Sequence, residues 1–233
     1  MINMVFIYYD NPKMLGFQLH HWNSYIGVLD PMPTIILIDD CSPTTHAEEV
    51  LKMNKCDCPL KLYRIDKDIQ WNISGARNLG CSVSDHWIYM SDIDTVIPAD
   101  DAKRLFNQQT LQMECVYMPR RVQHETESVM RPAIVNLMFH KSAFMEIGGY
   151  DEDYAGHYGR EETDFWNRMR RAKRMVARQD VTIRVISPGT VRDANTRGIS
   201  RDYSRNHLLY DQKLAKGFLK PARPLRFPWH QVI

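Results

Sequence analysis

The sequence predicts an α/β fold, in which a mostly parallel central sheet is flanked by helices within a single domain. Three observations lead to this prediction. The length of 233 residues suits one large domain. Segments rich in β-branched and aromatic residues alternate with segments whose apolar residues recur at helical spacing. Residues 33–38 are almost continuously apolar, which is typical of a strand buried on both faces of a parallel sheet.

The first half of the chain carries four predicted strands and four predicted helices. A β-prone run near the start ends at Asp10 and Asn11, and Pro12 is suited to the first turn of a helix. The apolar residues that follow recur at helical spacing: Met14, Leu15, Leu19 and Trp22. We expect strands at 5–9, 33–38, 60–65 and 86–90, and helices from residue 12 and at 45–53, 74–82 and 99–108.

The second half continues the alternation less regularly. Short apolar runs predict strands near 115–118, at 134–139 and, as the last strand, at 181–186. One face of a helix is marked by Phe165, Met169, Ala172 and Val176. Residues 216–233 contain three prolines and are expected to form a strap without regular structure.

Several classes of protein are excluded by composition. No apolar run approaches the roughly 20 residues that a membrane-spanning helix needs. The first ten residues lack the basic flank, apolar stretch and cleavage site of a signal peptide. The cysteines at 41, 56, 58, 81 and 115 form no CxxC pair and are expected to be reduced thiols. We therefore expect a cytoplasmic protein.

The net charge of +2 hides an asymmetry along the chain. Residues 167–233 contain 16 Lys and Arg against four Asp and Glu, whereas residues 1–166 contain 14 against 24. This asymmetry suggests a site that binds both a cation and a polyanion, and a solvated basic surface is the alternative. The basic residues are scattered and accompany no zinc-finger, homeodomain or RNP-type motif, so no nucleic-acid partner is expected.

Two predicted strands end in acidic residues, Asp39-Asp40 and Asp92-Ile93-Asp94. In open α/β sheets, ligands bind beyond the carboxyl ends of the strands. Residues two apart on an extended chain point to the same face, so Asp92 and Asp94 can converge on one ligand. Close carboxylates repel each other unless a cation, a donor or a proton lies between them, and oxygen ligands suit Mn²⁺ or Mg²⁺. Ordinary turn residues are the alternative.

A third acidic cluster follows a glycine-rich segment. Four of the eleven glycines lie within residues 148–159, which predicts a mobile or tightly turned loop. Glu161, Glu162 and Asp164 then open a helix, where the macrodipole favours negative charge. Helix capping alone would explain these acids, but a carboxylate beside such a loop also suits deprotonation of an acceptor hydroxyl.

Five motifs occur in an order that resembles a known family. They are Ile38-Asp-Asp-Cys-Ser42, Ser74-Gly-Ala-Arg-Asn-Leu-Gly80, Asp92-Ile-Asp94, Gly148-Gly-Tyr-Asp151 and Tyr158-Gly-Arg-Glu-Glu-Thr-Asp164. The sequence is similar to nucleotide-sugar glycosyltransferases of the GT-A fold, and most to inverting family 2, over residues 4–175. The resemblance implies a Rossmann-like domain at 1–215, with a nucleotide-binding half at 1–100 and an acceptor half at 101–215. A basic and aromatic strap at 216–233 follows.

The resemblance implies how the donor would be held. Asp39 and Asp40 would contact the base and ribose, and Arg77 and Asn78 would lie beside the nucleotide. Three aromatic residues are candidates for stacking on the base or sugar, with a core position as the alternative: Tyr8, Tyr9 and Trp71.

The resemblance also implies a metal site. Asp92 and Asp94 would hold the ribose and a Mn²⁺ or Mg²⁺ ion on the diphosphate. His207 is a candidate third metal ligand, because many relatives place a histidine after the acidic helix, and an unrelated role is the alternative. Four arginines are candidates for closing over the diphosphate, with a surface role as the alternative: Arg192, Arg197, Arg201 and Arg205.

The catalytic base stays open among three acids. The family carries its base on the second residue of a Glu-Asp pair, which corresponds to Glu162. Because this chain has Glu-Glu instead, Glu161 and Asp164 remain candidates. Three aromatic residues are candidates for an acceptor platform, with a core position as the alternative: Tyr154, Tyr158 and Trp166.

These expectations define a metal-dependent glycosyltransferase that moves a sugar from a nucleotide-sugar donor, a UDP-sugar first, to a glycan or lipid-linked acceptor with inversion. One alternative is a haloacid-dehalogenase-type phosphatase with Asp92 as nucleophile, since residues 89–96 fit its motif. Another is a non-catalytic module that binds a nucleotide sugar or glycan. A weak contact with an anionic membrane surface is an alternative to packing for the basic and aromatic residues of the strap: Lys216, Phe218, Lys220, Arg223, Arg226, Phe227 and Trp229.

Overall fold

The structure is a computed structural model, which describes residues 1–132, 134–194, 199–217, 220–221 and 225–233. These residues form nine strands and seven α-helices. The strands are β1 (Ile2–Tyr8), β2 (Thr34–Asp39), β3 (Leu60–Ile65), β4 (Trp87–Asp92), β5 (Thr95–Val96), β6 (Cys115–Gln123), β7 (Leu137–His140), β8 (Arg174–Val185) and β9 (Trp229–Gln231). The helices are α1 (Pro12–Asn23), α2 (Ala47–Met53), α3 (Ile73–Val83), α4 (Ala99–Leu105), α5 (Lys141–Ile147), α6 (Glu161–Ala172) and α7 (Ser204–Ala215).

The strands form one sheet in the order β5-β8-β6-β7-β4-β1-β2-β3-β9. Strands β3, β2, β1 and β4 are parallel neighbours. In this part of the sheet Tyr8 pairs with Asp39, and Ile7 pairs with Asp92. The acidic residues at the ends of β2 and β4 therefore lie on either side of the end of β1, at one edge of the sheet.

Helices cover both faces of the sheet and enclose two apolar cores. Met4 and Phe6 of β1 point into the core beneath α1, α2 and α4, while Val5 points into the core beneath α3, α5 and α6. Helix α3 lies close to β1, because a Cβ added at Gly80 would be 2.4 Å from Cγ1 of Val5. A larger residue at position 80 would push away the helix that carries Arg77.

The predicted α/β class, with a central sheet and flanking helices, is confirmed, and the sheet is mixed. Four of the eight strand pairings that the structure describes are parallel and four are antiparallel. The prediction of a mostly parallel sheet therefore applies to β3-β2-β1-β4, and β6 and β8 form one further parallel pair. Strands β6 and β7 pair antiparallel because no crossover helix separates them, and such a helix is what parallel neighbours need.

The helix and strand predictions are wrong at three places between residues 99 and 176. Helix α6 ends at Ala172, so Val176 lies in β8, which pairs with β6. Residues 134–136 precede strand β7 rather than belonging to it, and α4 ends at Leu105 rather than at 108. Val176 fits the helical spacing from Phe165, but pairing with a distant strand decides its conformation.

The end of the chain is not without regular structure. Residues Trp229–Gln231 form β9, which pairs antiparallel with β3 and places His230 opposite Arg64. An edge strand of this length obtains its hydrogen bonds from a remote partner, so its own sequence gives little signal. Helices α5 and α7 and the two-residue strand β5 were likewise not predicted.

Two expectations from composition concern cysteines and membrane helices. All five cysteines are free thiols, and Cys58, Cys81 and Cys115 are buried. Over the residues that the structure describes, no helix is both long enough and apolar enough to cross a membrane.

Candidate active site

A cavity of about 180 Å³ opens at the carboxyl edge of the parallel strands. Residues from β1, the segments after β2 and β4, helices α3 and α6, and the segment after β8 all contribute to its wall. The lining residues are Ile7, Tyr9, Asn11, Asp40, Trp71, Ile73, Arg77, Asp92, Ile93, Asp94, Glu162, Ala194, Ile199 and Arg201. Three separate acidic segments thus meet in one cavity.

Asp92 and Asp94 both face this cavity, although their surroundings differ. An oxygen of Asp92 accepts a hydrogen bond of 2.8 Å from Nη2 of Arg77. The carboxylate of Asp94 accepts a long hydrogen bond, of 3.4 Å, from the hydroxyl of Thr95. Burial, together with the negative charge of Asp92, raises the pKa of Asp94 to about 7. A pair of carboxylates in such surroundings favours a nearby positive charge.

Arg77 connects two of the acidic segments. Its guanidinium is buried and donates from Nη2 to Asp92 and from Nη1 to Glu162, at 2.8 and 3.0 Å. It also lies 5.3 Å from the centre of the Tyr150 ring. Arg77 therefore fixes the distance between the end of β4 and the first turn of α6.

The two acids after β2 have different positions. Asp39 accepts hydrogen bonds of 2.8 Å from the backbone N–H groups of Ser42 and Ala47, so both of its oxygens hold the segment that leads into α2. Asp40 lines the cavity and accepts a bond of 3.0 Å from Nδ2 of Asn72. Burial raises the pKa of Asp40 to about 7, and the charge of Asp39 contributes to the rise.

The first turn of α6 shows a similar division. Asp164 is buried, and its Oδ2 accepts bonds of 2.9 and 2.6 Å from Nε and Nη2 of Arg168. Glu162 faces the cavity, and burial raises its pKa although Arg77 acts in the opposite direction. Burial and the charge of Glu162 raise the pKa of Glu161 to about 7.

A second cavity, of about 420 Å³, shares Glu162 with the first as a lining residue. Ile73 and Glu162 line both cavities and separate them. The remaining lining residues of the second cavity are Tyr158, Gly159, Arg160, Glu161, Thr163 and Tyr203. Of the three candidate bases, Glu162 is the one in contact with both cavities.

Asn78 and Glu152 connect the site to the end of the chain. The side chain of Asn78 donates from Nδ2 to the backbone oxygen of Tyr150 and accepts at Oδ1 from the backbone N–H of Tyr150. Its Nδ2 also donates to Oε1 of Glu152 at 2.7 Å. The buried carboxylate of Glu152 also accepts from the backbone N–H groups of Leu225 and Arg226, at 2.6 and 2.8 Å. The strap thus packs against the loop before α6.

Several predicted site residues do not line either cavity. Tyr8 is buried, and its hydroxyl donates to the backbone oxygen of Thr45. Asn78 and Asp164 lie in the core, and Asp39 is engaged with backbone groups. On a strand, successive residues point to opposite faces, so Tyr9 rather than Tyr8 reaches the cavity.

His207 does not join the aspartates in the cavity. Its Nδ1 accepts hydrogen bonds from Arg160, and its Nε2 lies 3.6 Å from Oδ2 of Asp211. Over the residues described, no group of three or more potential metal-ligating side chains forms. The side chains of Asp92 and Asp94 remain the candidate metal ligands.

Of the other basic and aromatic residues predicted to contact the substrates, only some line a cavity. Of the arginines, Arg201 lines the first cavity, Arg192 is exposed away from it, and Arg205 bonds the backbone oxygen of Asp153. Trp71 and Tyr158 face the cavities, whereas Tyr154 is buried and Trp166 packs against a core. Three predicted residues lie outside the described part of the chain: Arg197, Phe218 and Arg223.

Three residues near the site were not predicted. Asn72 bonds Asp40, Tyr203 lines the second cavity, and Glu152 anchors the strap. Asn72 lies two residues before the Ser74–Gly80 motif, and that adjacency was an available signal. Glu152 directly follows the Gly148-Gly-Tyr-Asp151 motif, which was a similar signal, whereas Tyr203 gave none.

Comparison with known proteins gives matches in one family model and in many structures. A model described as the N-terminal domain of galactosyltransferase matches residues 134–188. No curated protein sequence matches the chain. Residues 134–188 contain the Gly148-Gly149 loop and the first turn of α6, so the match includes the candidate base.

Three solved structures illustrate the likeness in fold. TarS 1–349 of S. aureus has a TM-score of 0.64 at 12% identity, over 83% of this chain and 62% of that one, and TarS is also known in complex with UDP-GlcNAc. The catalytic domain of Drosophila beta1,4galactosyltransferase 7 in complex with xylobiose has a TM-score of 0.60 at 13% identity, over 89% and 78%. Mannosyltransferase PcManGT from Pyrobaculum calidifontis with GDP-Man and Mn²⁺ has a TM-score of 0.58 at 12% identity, over 78% and 56%.

The chain therefore has the GT-A fold of nucleotide-sugar glycosyltransferases, and the resemblance found in the sequence is confirmed at the level of the fold. It spans about three fifths of TarS 1–349. This fold gives no support to the phosphatase alternative, which would place Asp92 on the first strand rather than on β4.

Proposed function

We propose that the chain is a metal-dependent glycosyltransferase, which transfers a sugar from a nucleotide-diphosphate sugar, a UDP-sugar first, to a hydroxyl group with inversion. The observation that carries this proposal is the convergence of Asp92, Asp94, Arg77 and Glu162 in one cavity at the carboxyl edge of the sheet. The glycosyltransferase fold supports it, as do the nucleotide sugars bound by TarS and PcManGT.

The residues present fit a divalent cation. Asp92 and Asp94 offer two carboxylates to one cavity, and the raised pKa of Asp94 reflects a buried charge with little compensation. Mn²⁺ and Mg²⁺ are commonly held by one or two carboxylates while substrate phosphates complete the shell. A bound ion would stabilise the charge that develops on the departing diphosphate.

The nucleotide would occupy the end of the first cavity that lies opposite Glu162. Asp40 offers a carboxyl group to a base or ribose, fixed by Asn72. Tyr9 and Trp71 supply aromatic surface, and Arg201 supplies a positive charge for the diphosphate. These proposed roles follow from the chemistry of the side chains that line the first cavity.

Glu162 is the proposed general base. Its carboxylate would take the proton of the acceptor hydroxyl while that oxygen forms a bond to the anomeric carbon. The bond from the anomeric carbon to the phosphate oxygen breaks in the same step, and the nucleoside diphosphate leaves with the electron pair. Attack from the side opposite the leaving group inverts the configuration. Arg77 holds Glu162 in place and donates to it at 3.0 Å.

Ligand-induced thermal stabilisation tests the donor site. UDP, GDP and their sugars, with and without Mn²⁺, should raise the melting temperature, because a ligand of the folded state stabilises it. In Asp94→Ala the metal-dependent part of the shift should disappear. Asp57→Ala is the matched control, since Asp57 is exposed, forms an ion pair with Lys55 and does not line the first cavity.

Two results would contradict the proposal. An unchanged metal response in Asp94→Ala would remove Asp94 from the metal site. Donor binding by the unaltered protein, with no sugar transferred or hydrolysed over prolonged incubation, would favour a non-catalytic binding module instead. Stereochemistry is tested by the anomeric proton of the product in an NMR spectrum.

A further inference from the structure

We infer that the second cavity is an acceptor subsite that takes the ring of an uncharged saccharide. This inference rests on the proposed function, because it uses Glu162 as the group that meets the acceptor hydroxyl. Asp92 and Asp94 line the first cavity and not the second, and the two cavities have only Ile73 and Glu162 in common among their described lining residues. A molecule in the second cavity would present a hydroxyl to Glu162 while the donor occupies the first.

The aromatic residues around the cavity suit a sugar ring. The rings of Tyr158 and Tyr203 both line it, with centroids 6.4 Å apart and planes inclined at 51°. The ring centroids of Trp71 and Tyr158 are 4.7 Å apart, and Trp71 extends this aromatic surface into the first cavity. Tyr203 is 57% exposed, so its ring is accessible to a ligand. The C–H faces of a pyranose pack on aromatic rings, while its hydroxyls need polar partners.

Glu161 supplies such a polar partner. It is 6% exposed and belongs to the wall of the cavity, and its Oε2 has no hydrogen-bond partner among the described residues. Leaving a buried polar atom unsatisfied costs free energy, so this oxygen is suited to accept a hydrogen bond from a ligand. Saccharide hydroxyls are donors of the required kind.

The charges around the cavity favour a neutral ligand. Glu161 and Glu162 both belong to its wall, so an anionic sugar would meet two acidic groups. Among the described lining residues, the basic one is Arg160, whose guanidinium donates to His207 and lies 5.2 Å from the centre of the Tyr210 ring. The guanidinium of Arg160 is therefore already engaged. The guanidinium of Arg201 lies 5.7 Å from the centre of the Tyr158 ring, but Arg201 lines the first cavity rather than the second.

Saturation-transfer NMR and titration of the full chain test this inference, with UDP and Mn²⁺ present. The probes are neutral disaccharides (lactose, cellobiose, maltose and xylobiose), compared with glucuronic acid and glucose 6-phosphate. We expect at least one neutral disaccharide to bind and the anionic sugars to bind at least tenfold more weakly. Tyr203→Ala and Glu161→Gln should each weaken the neutral saccharide about tenfold. Glu161→Gln should also reduce the difference in affinity between the neutral disaccharide and glucuronic acid.

The control variant is Leu208→Ala. Leu208 is exposed on α7, the helix that begins directly after Tyr203, and it lines neither cavity. It should leave saccharide binding unchanged. The UDP-induced thermal shift is measured for every variant and should be the same in all.

The inference is overturned if anionic sugars bind as tightly as neutral ones, if no saccharide binds, or if both site variants bind like the unaltered protein. In these cases a normal UDP shift means that the acceptor assignment alone has failed. If UDP itself fails to bind, the proposed function fails with it.

Discussion

The end of β2 and the first turn of α6 both carry neighbouring acids, and in both regions the acids divide into a structural and a cavity-lining group. After β2, Asp39 is bonded to backbone N–H groups, while Asp40 faces the cavity. In α6, Asp164 is bonded to Arg168, while Glu162 faces both cavities. Proximity in sequence therefore does not give these acids a common role.

The two structural acids differ in what they hold. Asp39 fixes the start of α2 through backbone groups that any sequence would offer there. Asp164 instead neutralises Arg168, whose Nη1 also donates to the backbone oxygens of Ile147 and Gly149. The first region thus depends on hydrogen-bond geometry, and the second on a buried pair of charges.

The largest expected effect concerns the cavity-lining acid of α6. Glu162→Gln should lower the rate of sugar transfer by about 10²- to 10⁴-fold, because an amide cannot take a proton from the acceptor. Donor binding should persist, since the amide oxygen can still accept from Nη1 of Arg77. Initial rates of nucleoside diphosphate release, together with thermal shifts by UDP and Mn²⁺, measure both quantities.

Glu161→Gln is the comparison for this experiment, and it should affect the acceptor KM more than kcat. A fully active Glu162→Gln enzyme would show that the base lies elsewhere, with Glu161 as the next candidate. Equal losses of kcat in both variants would contradict the separate roles proposed here, acceptor binding for Glu161 and proton transfer for Glu162.

The next effect concerns stability at the structural acid of α6. Asp164→Asn should lower the free energy of unfolding by about 3 kcal/mol, because it leaves the buried guanidinium of Arg168 without its counter-charge. Urea denaturation measures this change. The control is Asp180→Asn, where the aspartate side chain is 55% exposed and pairs with Arg178; a change below about 1 kcal/mol is expected there. Similar losses in the two variants would contradict a special role for burial.

Much of the fold was predictable from local patterns. The apolar strand after Pro33 and the helical spacing after Pro12 are examples. In each, the pattern of apolar residues within one short segment indicates which side chains are buried. The predictions failed where a distant partner decides the conformation, as for Val176 in β8 and for Trp229 in β9. Tertiary pairing overrides local propensity at such positions.

The site was predictable in outline and not in detail. Strand ends and motif order indicated Asp40, Arg77, Asp92, Asp94 and Glu162, all of which line the first cavity. No sequence rule distinguishes Asp39 from Asp40 or Tyr8 from Tyr9, because a shift of one residue on a strand exchanges the two faces. The partnership of His207 with Arg160 and Asp211 likewise depends on how α7 packs.

The last expected effect is a pH dependence at the end of β2. Burial raises the pKa of Asp40 to about 7, well above the value of about 3.9 expected in the unfolded chain. Between these values the folded state keeps a proton that the unfolded state has lost, so the contribution of Asp40 to stability is complete below pH 4 and is lost as the pH rises towards 7. Asp40→Asn cannot ionise and should flatten this decline in the ligand-free protein, as measured by urea denaturation at pH 4.5, 5.5 and 7. Asp39→Asn should lower stability while keeping most of the slope, because burial is the larger cause of the shift. An undiminished slope in Asp40→Asn would show that the Asp40 carboxyl is already ionised in the folded state, and the division between the two acids of β2 would then not extend to their protonation.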